Sequence, residues 1–173
     1  MASIIIEEAL KIKESKAASS VAFFFCKNDG KRSTFSSIAK AVLKQMLCQN
    51  PIILPYLYDE CIESRTFTPS SSQQCSKLLG TALQAVPRTS IIVDGIDACD
   101  EHERNKILQF FSSAIDKSSA GSGNLRCLFI SQEFDDTTKV LPRADVLRLT
   151  DQHSEPDIRE YAINQSIKSR KSL

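Results

Sequence analysis

Two aspartates, Asp94 and Asp97, lie three positions apart directly after an apolar segment, Ile91–Val93. This run of branched residues is too short for an amphipathic helix and is typical of a strand buried on both faces of a parallel sheet. Gly95 then permits a sharp turn. Open α/β sheets bind ligands beyond the carboxyl ends of their strands, and carboxylates suit hard cations such as Mg²⁺. The segment therefore predicts a divalent-cation site at a sheet edge.

Simpler interpretations of these polar residues remain open. Aspartate and glycine are common turn formers, so Asp94 and Asp97 can have a purely structural role at the end of a strand. The same applies to Ser131, which ends a later apolar segment. Phosphatases and nucleases also use paired carboxylates on Mg²⁺, but their usual D-x-D spacing differs from the spacing of these aspartates.

Composition limits the function further. The 173 residues suffice for one domain with a substantial core. Charged residues make up 25% and the net charge is +1, which argues against wholesale binding to nucleic acid or an anionic membrane. No apolar run approaches the ~18–20 residues that span a bilayer. The six cysteines are widely spaced and the two histidines form no zinc motif, so we expect reduced thiols in a cytoplasmic protein.

Apolar periodicity predicts helices and strands that alternate along the chain. Helices are expected over 3–15, with an apolar face that includes Ile12, from a cap at Ser33 or Thr34 to Asn50, and over 52–64, 74–85, 101–116 after a cap at Asp100, and 155–167. The apolar stripe of the second helix is predicted to consist of Phe35, Ile38, Val42 and Met46, widened by Ala39, Leu43 and Leu47. Strands are expected over 21–26, 91–93, 126–131 and 145–149. This alternation indicates an α/β fold with a mostly parallel sheet, in which right-handed crossovers place helices on both faces.

The order of these segments resembles that of P-loop NTPases. More narrowly, it resembles the fungal NACHT-type and nephrocystin-like N-terminal domains of the STAND signalling NTPases. Asp94-Gly95-Ile96-Asp97 resembles their Walker B segment, which usually reads D-G-L-D-E-C. The segment 21–26 and a helix with Gln45-Met46-Leu47 near its end resemble the family's second strand and its helix, which tends to end in Q-L-L. Leu128–Ser131 resembles the sensor strand, and Asp157–Tyr161 resembles a D-I-x-x-Y helix.

The resemblance implies a three-layer P-loop NTPase-like fold and a signalling domain that binds ATP or GTP with Mg²⁺. It implies that Asp94 holds Mg²⁺ through water, that Asp97 orients or activates the attacking water, and that Ser131 senses the γ-phosphate. On this basis, residues 1–165 are predicted to be a partial NACHT-type NTPase domain. Residues 166–173 are predicted to be a basic, disordered tail.

Three departures from the family pattern concern the nucleotide. The chain has no Walker A loop, G-x-x-x-x-G-K-[ST], whose amides and lysine hold the phosphates. Ala98 stands where the family has an acid, and Gln132 stands where arginine usually follows the sensor serine. The Gly30-Lys31 pair lacks the motif's first glycine, so residues 29–34 are expected to form a surface loop. Weak anion binding at the following helix start is the alternative for this loop.

Without the Walker A segment, the family's first, central strand is also missing. Because each buried unpaired backbone group costs about 1–3 kcal/mol, we expect a chain that is unstable alone, a fragment, or a sheet that closes without that strand. We expect weak or absent nucleotide binding and no hydrolysis, since phosphoryl transfer depends on positioning and electrostatic stabilisation. The alternative function is a non-catalytic interaction module that assembles with itself or with full-length relatives, which would supply the missing strand.

Overall fold

The computed structural model describes residues 2–14, 19–65, 69–86, 88–119, 124–132, 141 and 143–149. Five α-helices and three strands lie within these ranges: α1 Ala2–Glu14, β1 Ser19–Phe25, α2 Phe35–Gln49, α3 Leu54–Ser64, α4 Ser72–Ala85, β2 Arg88–Asp94, α5 Glu101–Ser119 and β3 Asn124–Ile130. Short 3₁₀ helices at Pro51–Ile53 and Ile96–Ala98 precede α3 and α5.

The three strands form one parallel sheet in the order β1-β2-β3. Phe25 and Ile130 both align with Asp94, so all three strands reach their carboxyl ends at the same level. The predicted α/β class and the parallel sheet flanked by helices are therefore confirmed. The strand that ends in Asp94 is the central one of the described sheet.

Most of the core lies on one face of the sheet. Ala22, Ile91 and Val93 are buried there against α2, α4 and α5. The predicted stripe of α2 is confirmed, because its buried residues are Phe35, Ile38, Ala39, Val42, Leu43 and Met46. Aromatic rings continue this core from α2 through α5 to β3: Phe35 contacts Phe110 edge-on, Phe110 contacts Phe111, and Phe111 contacts Phe129, with ring centroids 5.0, 5.2 and 5.9 Å apart.

The opposite face of the sheet is covered in part by α1. Strand residues alternate between faces, so Val21 and Ile92 lie on this side, where both are buried. From α1, Ala2 and Ile6 are buried, whereas Ile12 is 54% exposed. The predicted apolar face of α1, which included Ile12, is therefore only partly used. Helices flank both faces, as the sequence predicts.

Two glutamine side chains close the outer edge of β1. The Gln49 amide accepts a hydrogen bond from Val21 N–H (3.0 Å) and donates to Val21 C=O (2.7 Å). The Gln45 amide makes the same pair of bonds with Phe23, at 3.1 and 2.8 Å. Each amide replaces part of a neighbouring strand, so the edge groups of these two residues are satisfied by α2.

The prediction of a fourth strand over 145–149 is wrong. The described residues 144–149 have no regular secondary structure, and Val146, Leu147 and Leu149 are exposed. Their apolar spacing resembles a strand, but a strand also needs a neighbour for its backbone groups. Contacts divide the chain into two units, residues 1–142 and 143–173. The predicted helix at 155–167, the segment Asp157–Tyr161 and the domain boundary at 165 lie outside the described residues.

No helix in the part of the chain that the structure describes is both long enough and apolar enough to cross a membrane.

Candidate functional site

Backbone hydrogen bonds of Asp94 and Gly95 connect the carboxyl ends of the three strands. Cys26 N–H donates to the backbone C=O of Asp94, and Gly95 N–H donates to the backbone C=O of Ile130, both at 2.8 Å. Gly95 has φ 74° and ψ 36°, in the left-handed region. A Cβ atom at this position would lie 3.2 Å from the carbonyl oxygen of Cys26. Glycine is therefore required both for the turn and for the close approach of the two chains.

This turn brings the predicted site residues to one edge of the sheet. Asp94 ends β2 and is half-buried, while Asp97 lies in the following 3₁₀ helix and is exposed. The backbone N–H of Gln132 donates to Asp97 Oδ1 at 3.4 Å, a long bond that links the segment after β2 to the segment after β3. Ser131, next to Gln132, is exposed. Asp94, Asp97 and Ser131 thus lie on neighbouring segments at the carboxyl edge.

Among the described residues, the acidic side chains at this edge do not form a complete metal-binding site by themselves. Within the described ranges, no group of three or more His, Cys, Asp or Glu side chains is placed to hold a metal ion. A cation here would depend on water and on a bound ligand for most of its oxygen shell, as Mg²⁺ commonly does beside phosphates.

A family model described as nephrocystin 3, N-terminal, matches residues 1–132. The chain belongs to this family. The match ends just after β3, so it covers all described helices and strands of the nephrocystin 3 N-terminal domain. It does not extend to Asp157–Tyr161, a segment that also resembles the family. No curated protein matches the chain at a significant level.

In this nephrocystin 3 N-terminal domain, the loop that contains Gly30-Lys31 is closed by its own aspartate. Asp29 Oδ1 accepts hydrogen bonds from the backbone N–H groups of Lys31 (3.0 Å) and Arg32 (2.8 Å). Its Oδ2 accepts from the Arg32 guanidinium at 2.8 Å. The Asp29 carboxylate thus occupies amides that a phosphate would need. The loop is exposed, as the sequence predicts.

These bonds predict a pH response of the loop. The backbone N–H and then the side chain of Arg32 lower the pKa of Asp29 from 3.8 to about 2. A depressed folded-state pKa means that the stabilising contribution is present above about pH 4 and is lost as the pH falls through about 2. We expect an NMR titration of the Asp29 carboxyl carbon to show a midpoint near 2, and Arg32→Gln to raise it. A native midpoint near 3.8 would contradict this contact.

Backbone N–H groups at the start of α2 also have hydrogen-bond partners. Thr34 caps the helix by accepting from Ser37 N–H at 3.3 Å. Phe35 N–H donates to the Glu103 carboxylate of α5 at 2.6 Å. A carboxylate at a helix N-terminus is favoured by the helix dipole, so Glu103 stabilises the contact between α2 and α5. The alternative of anion binding at this helix start receives no support, because two of the amides already have partners.

Replacing Glu103 tests this contact. We expect Glu103→Gln to lower the free energy of unfolding by about 1 kcal/mol, because the neutral amide loses its interaction with the α2 dipole. Urea denaturation measures the change. Glu101→Gln is the matched control, since Glu101 occupies the same first turn of α5 but is exposed. Equal losses in both variants would show that the contact with Phe35 contributes nothing.

Two thiols near the turn at Gly95 have shifted pKa values. Interaction with Cys99, followed by burial, raises the pKa of Cys26, and interaction with Cys26 lowers the pKa of Cys99. Cys99 is buried and Cys26 is half-buried. Burial alone raises the pKa of Cys127, to about 12. The pKa shifts of Cys26 and Cys99 therefore arise first from each other, whereas the shift of Cys127 arises from burial.

Sequence reasoning identified the acids of this edge but missed the contacts of Glu103 and Gln45 and the interaction of the two cysteines. In the sequence, Gln45 resembles only the first residue of the family's Q-L-L ending. A weak signal existed for Cys99, which stands at the cysteine of the D-G-L-D-E-C pattern. Nothing in the spacing points to Cys26 or Glu103 as partners, because each interaction involves residues about 70 positions apart.

Proposed function

We propose that this nephrocystin 3 N-terminal chain carries the Walker B part of the nucleotide site of a cytoplasmic signalling NTPase and does not itself hydrolyse ATP or GTP. The observation that carries this proposal is the convergence of Asp94, Asp97 and Ser131 at the carboxyl edge of the parallel sheet. Ligands of open α/β folds bind at that edge.

Each of the three residues would have a separate role at the nucleotide. Asp94, held at the end of the central strand, would bind Mg²⁺ through water. Asp97 is exposed and would orient the attacking water, while the exposed hydroxyl of Ser131 would contact the γ-phosphate. Mg²⁺ bound with ATP or GTP neutralises charge on the phosphates. The backbone bonds of Asp94 and Gly95 fix the turn that carries these groups.

The chain lacks the parts that would hold a triphosphate tightly. No G-x-x-x-x-G-K-[ST] segment occurs in its 173 residues. The Gly30-Lys31 loop does not replace one, because Asp29 occupies the amides of Lys31 and Arg32. Without backbone donors and a lysine at the phosphates, both positioning and charge stabilisation are weak.

Paramagnetic NMR tests the proposed site directly. We expect Mn²⁺, added with ATP as a substitute for Mg²⁺, to broaden the amide signals of Gly95 and Gln132 at millimolar concentrations, while phosphate release stays at the background rate. Asp94→Asn should abolish the broadening, because the neutral amide is a poor ligand for a hard cation. Asp59→Asn, on exposed α3, is the matched control and should leave it unchanged.

Two results would overturn the proposal. One is broadening that is equal in the native chain and in Asp94→Asn, which would place the cation elsewhere. The other is turnover of ATP or GTP that Asp97→Asn abolishes, because the chain would then be a working NTPase without a Walker A loop.

The outer edge of β3 favours a second candidate, a non-catalytic interaction module. Because Gly95 N–H donates to Ile130 C=O, alternation along the strand turns the backbone groups of Leu125, Cys127 and Phe129 away from β2. Ser118 Oγ accepts from Leu125 N–H at 3.1 Å. The outward groups of Cys127 and Phe129 have no partner among the described residues. Within the described part of the chain, this edge, unlike the β1 edge, is available to a strand from another chain.

Hydrogen exchange tests this second function. We expect the amides of Cys127 and Phe129 to exchange rapidly in the isolated chain and to become protected when an intact relative with the Walker A strand is added. The amides of Val21 and Phe23 are the internal control, because Gln49 and Gln45 already occupy them. A chain that remains monomeric by light scattering, with unchanged exchange at Cys127, would exclude this function.

A further inference from the structure

A small cavity opens at the amino ends of the strands, at the opposite end of the sheet from Asp94. Its volume is about 300 Å³, and it is lined by the second half of α1, by residues 19–21 and 88–90, and by Arg126 of β3. Arg88 and Asp94 are the first and last residues of β2, which places them about 20 Å apart along the strand. The cavity is therefore separate from the edge that carries the aspartates.

Three cationic side chains line this cavity, those of Lys13, Arg88 and Arg126. Ser90 aligns with Arg126 in the parallel pairing, and Arg88 precedes Ser90 by two residues. Because side chains alternate between the two faces of a strand, both arginines lie on the face that α1 partly covers.

No acidic side chain balances the two arginines within the described part of the chain. Both arginines are exposed, and neither takes part in an ion pair with another described residue. None of the described residues that line the cavity is acidic. Like charges on one face of a sheet repel each other, so an anion bound between these side chains would relieve the repulsion.

Lys13 is held at this cavity by the glutamine that closes the β1 edge. Its Nζ donates a hydrogen bond to Gln49 Oε1 at 2.8 Å. An ammonium group has three N–H donors, so donors remain for a ligand. The hydroxyl of Ser90, another lining residue, is a further donor at the same cavity. The site thus offers cations and neutral donors together.

Apolar side chains form the rest of the lining that bears on the ligand. Ala9 and Ile12 of α1 and Val21 of β1 border the cavity, and Ile12 is 54% exposed. An inorganic anion would leave these side chains in contact with water. An organic group attached to the anion would cover them, which is favourable in proportion to the apolar area removed from water.

We propose that this cavity binds a small organic phosphate monoester. Such a group carries a charge of about −1.5 to −2 at pH 7, and planar guanidinium groups pair well with phosphate oxygens. Arg88 and Arg126 bind the phosphate, Lys13 supplies a third positive charge, and Ile12 contacts the organic part. The cavity volume lies at the lower end of the range for small-molecule sites. This inference does not depend on nucleotide binding at Asp94.

An NMR titration with phenyl phosphate tests the site on the native chain. At about pH 7.5 the phosphate is mainly a dianion, since its second pKa is near 6. At constant ionic strength, we expect saturable shifts of the amide signals of Lys13, Ser90 and Arg126. The signals of Gly95 and Gln132, at the carboxyl edge, should stay unchanged. Benzoate has the same ring but only one negative charge, and it should bind at least about tenfold more weakly.

Two double variants separate a specific site from general attraction to positive charge. Arg88→Gln with Arg126→Gln should weaken the affinity for phenyl phosphate about tenfold or more, because the paired donors are lost. Lys40→Gln with Lys44→Gln is the matched control, since both lysines are exposed on α2 and the net charge changes equally. The control should change the affinity by no more than about twofold, because distant exposed charges are screened.

Three results would overturn the proposal. The first is the absence of saturable shifts at Ser90 and Arg126 in the native chain, a result that needs no variant. The second is equal weakening by the two double variants, since attraction would then depend on net charge alone. The third is equal affinity for benzoate, which would exclude selection for phosphate.

A short phosphoserine peptide identifies what carries the phosphate. Weaker binding of the peptide than of phenyl phosphate supports a small-molecule ligand, because the cavity has room for little more than the phosphate and one organic group. Tighter binding of the peptide would overturn that assignment in favour of a phosphorylated protein segment.

Discussion

Gly95→Val is expected to lower the free energy of unfolding by about 2–4 kcal/mol. Gly95 adopts φ 74°, a conformation that costs a residue with a side chain about 1–2 kcal/mol and is least suited to branched residues. Its Cβ would also lie 3.2 Å from the carbonyl oxygen of Cys26, so the two chains must separate. That movement strains the bond between Cys26 N–H and Asp94 C=O.

Thermal unfolding measures this effect. For a chain of this size we expect the melting temperature to fall by roughly 4–16 °C. Hydrogen exchange at the Cys26 amide should also accelerate more than exchange in α2, because the damage is local to the turn.

Gly80→Ala is the matched control for this change. Gly80 lies inside α4, and a Cβ atom there would have nothing within 4 Å. We expect a neutral effect or a gain of about 0.4–1 kcal/mol, because alanine restricts the unfolded chain and favours helix. If Gly95→Val were as stable as the native chain, the left-handed turn after Asp94 would not exist in solution.

Opening the β1 edge is expected to have a comparable effect. The double variant Gln45→Leu with Gln49→Leu keeps similar side-chain volume but removes four hydrogen bonds to Val21 and Phe23. Buried backbone groups left without partners cost about 1–3 kcal/mol each. Water reaches part of this edge, so we expect a total loss of about 2–4 kcal/mol.

Urea denaturation and light scattering measure the two consequences. The denaturation midpoint should fall, and the variant should associate with increasing concentration, because an unpaired edge strand is a template for another strand. Gln73→Leu is the matched control, since Gln73 is an exposed glutamine of α4. It should change neither the midpoint nor the mass. A double variant that stays monomeric and fully stable would show that the two amides do not protect the edge.

The two edges of the sheet bear on the expectation that the chain is unstable without its Walker A strand. At β1 the helix α2 supplies the missing partners, whereas at β3 the outward groups of Cys127 and Phe129 have none among the described residues. Among the described residues, the unpaired edge groups of the sheet are therefore those of β3. Instability of the isolated chain stays a prediction, and the denaturation experiments above also test it.

Local sequence determined much of this fold. The apolar stripe of α2, the cap at Thr34 and the cap at Asp100, whose Oδ1 accepts from Glu103 N–H at 2.8 Å, were all predicted correctly. The strand that ends in Asp94 and the turn at Gly95 were predicted as well. Periodicity and capping are readable because they depend on residues within a few positions of each other. Nearby residues likewise placed Asp94 and Asp97 at the end of a strand, whereas Ser131 was added by the family resemblance.

Only the tertiary structure decided which distant groups meet. The Gln49 amide bonds to the edge of β1, and the Glu103 carboxylate bonds to the start of α2, although no local spacing links these residues. The tertiary structure also leaves residues 145–149 without regular secondary structure. Their apolar side chains have no neighbouring strand among the described residues. The physical reason is the same in each case. A hydrogen bond or a strand pair needs a partner in space, and the path of the whole chain determines that partner.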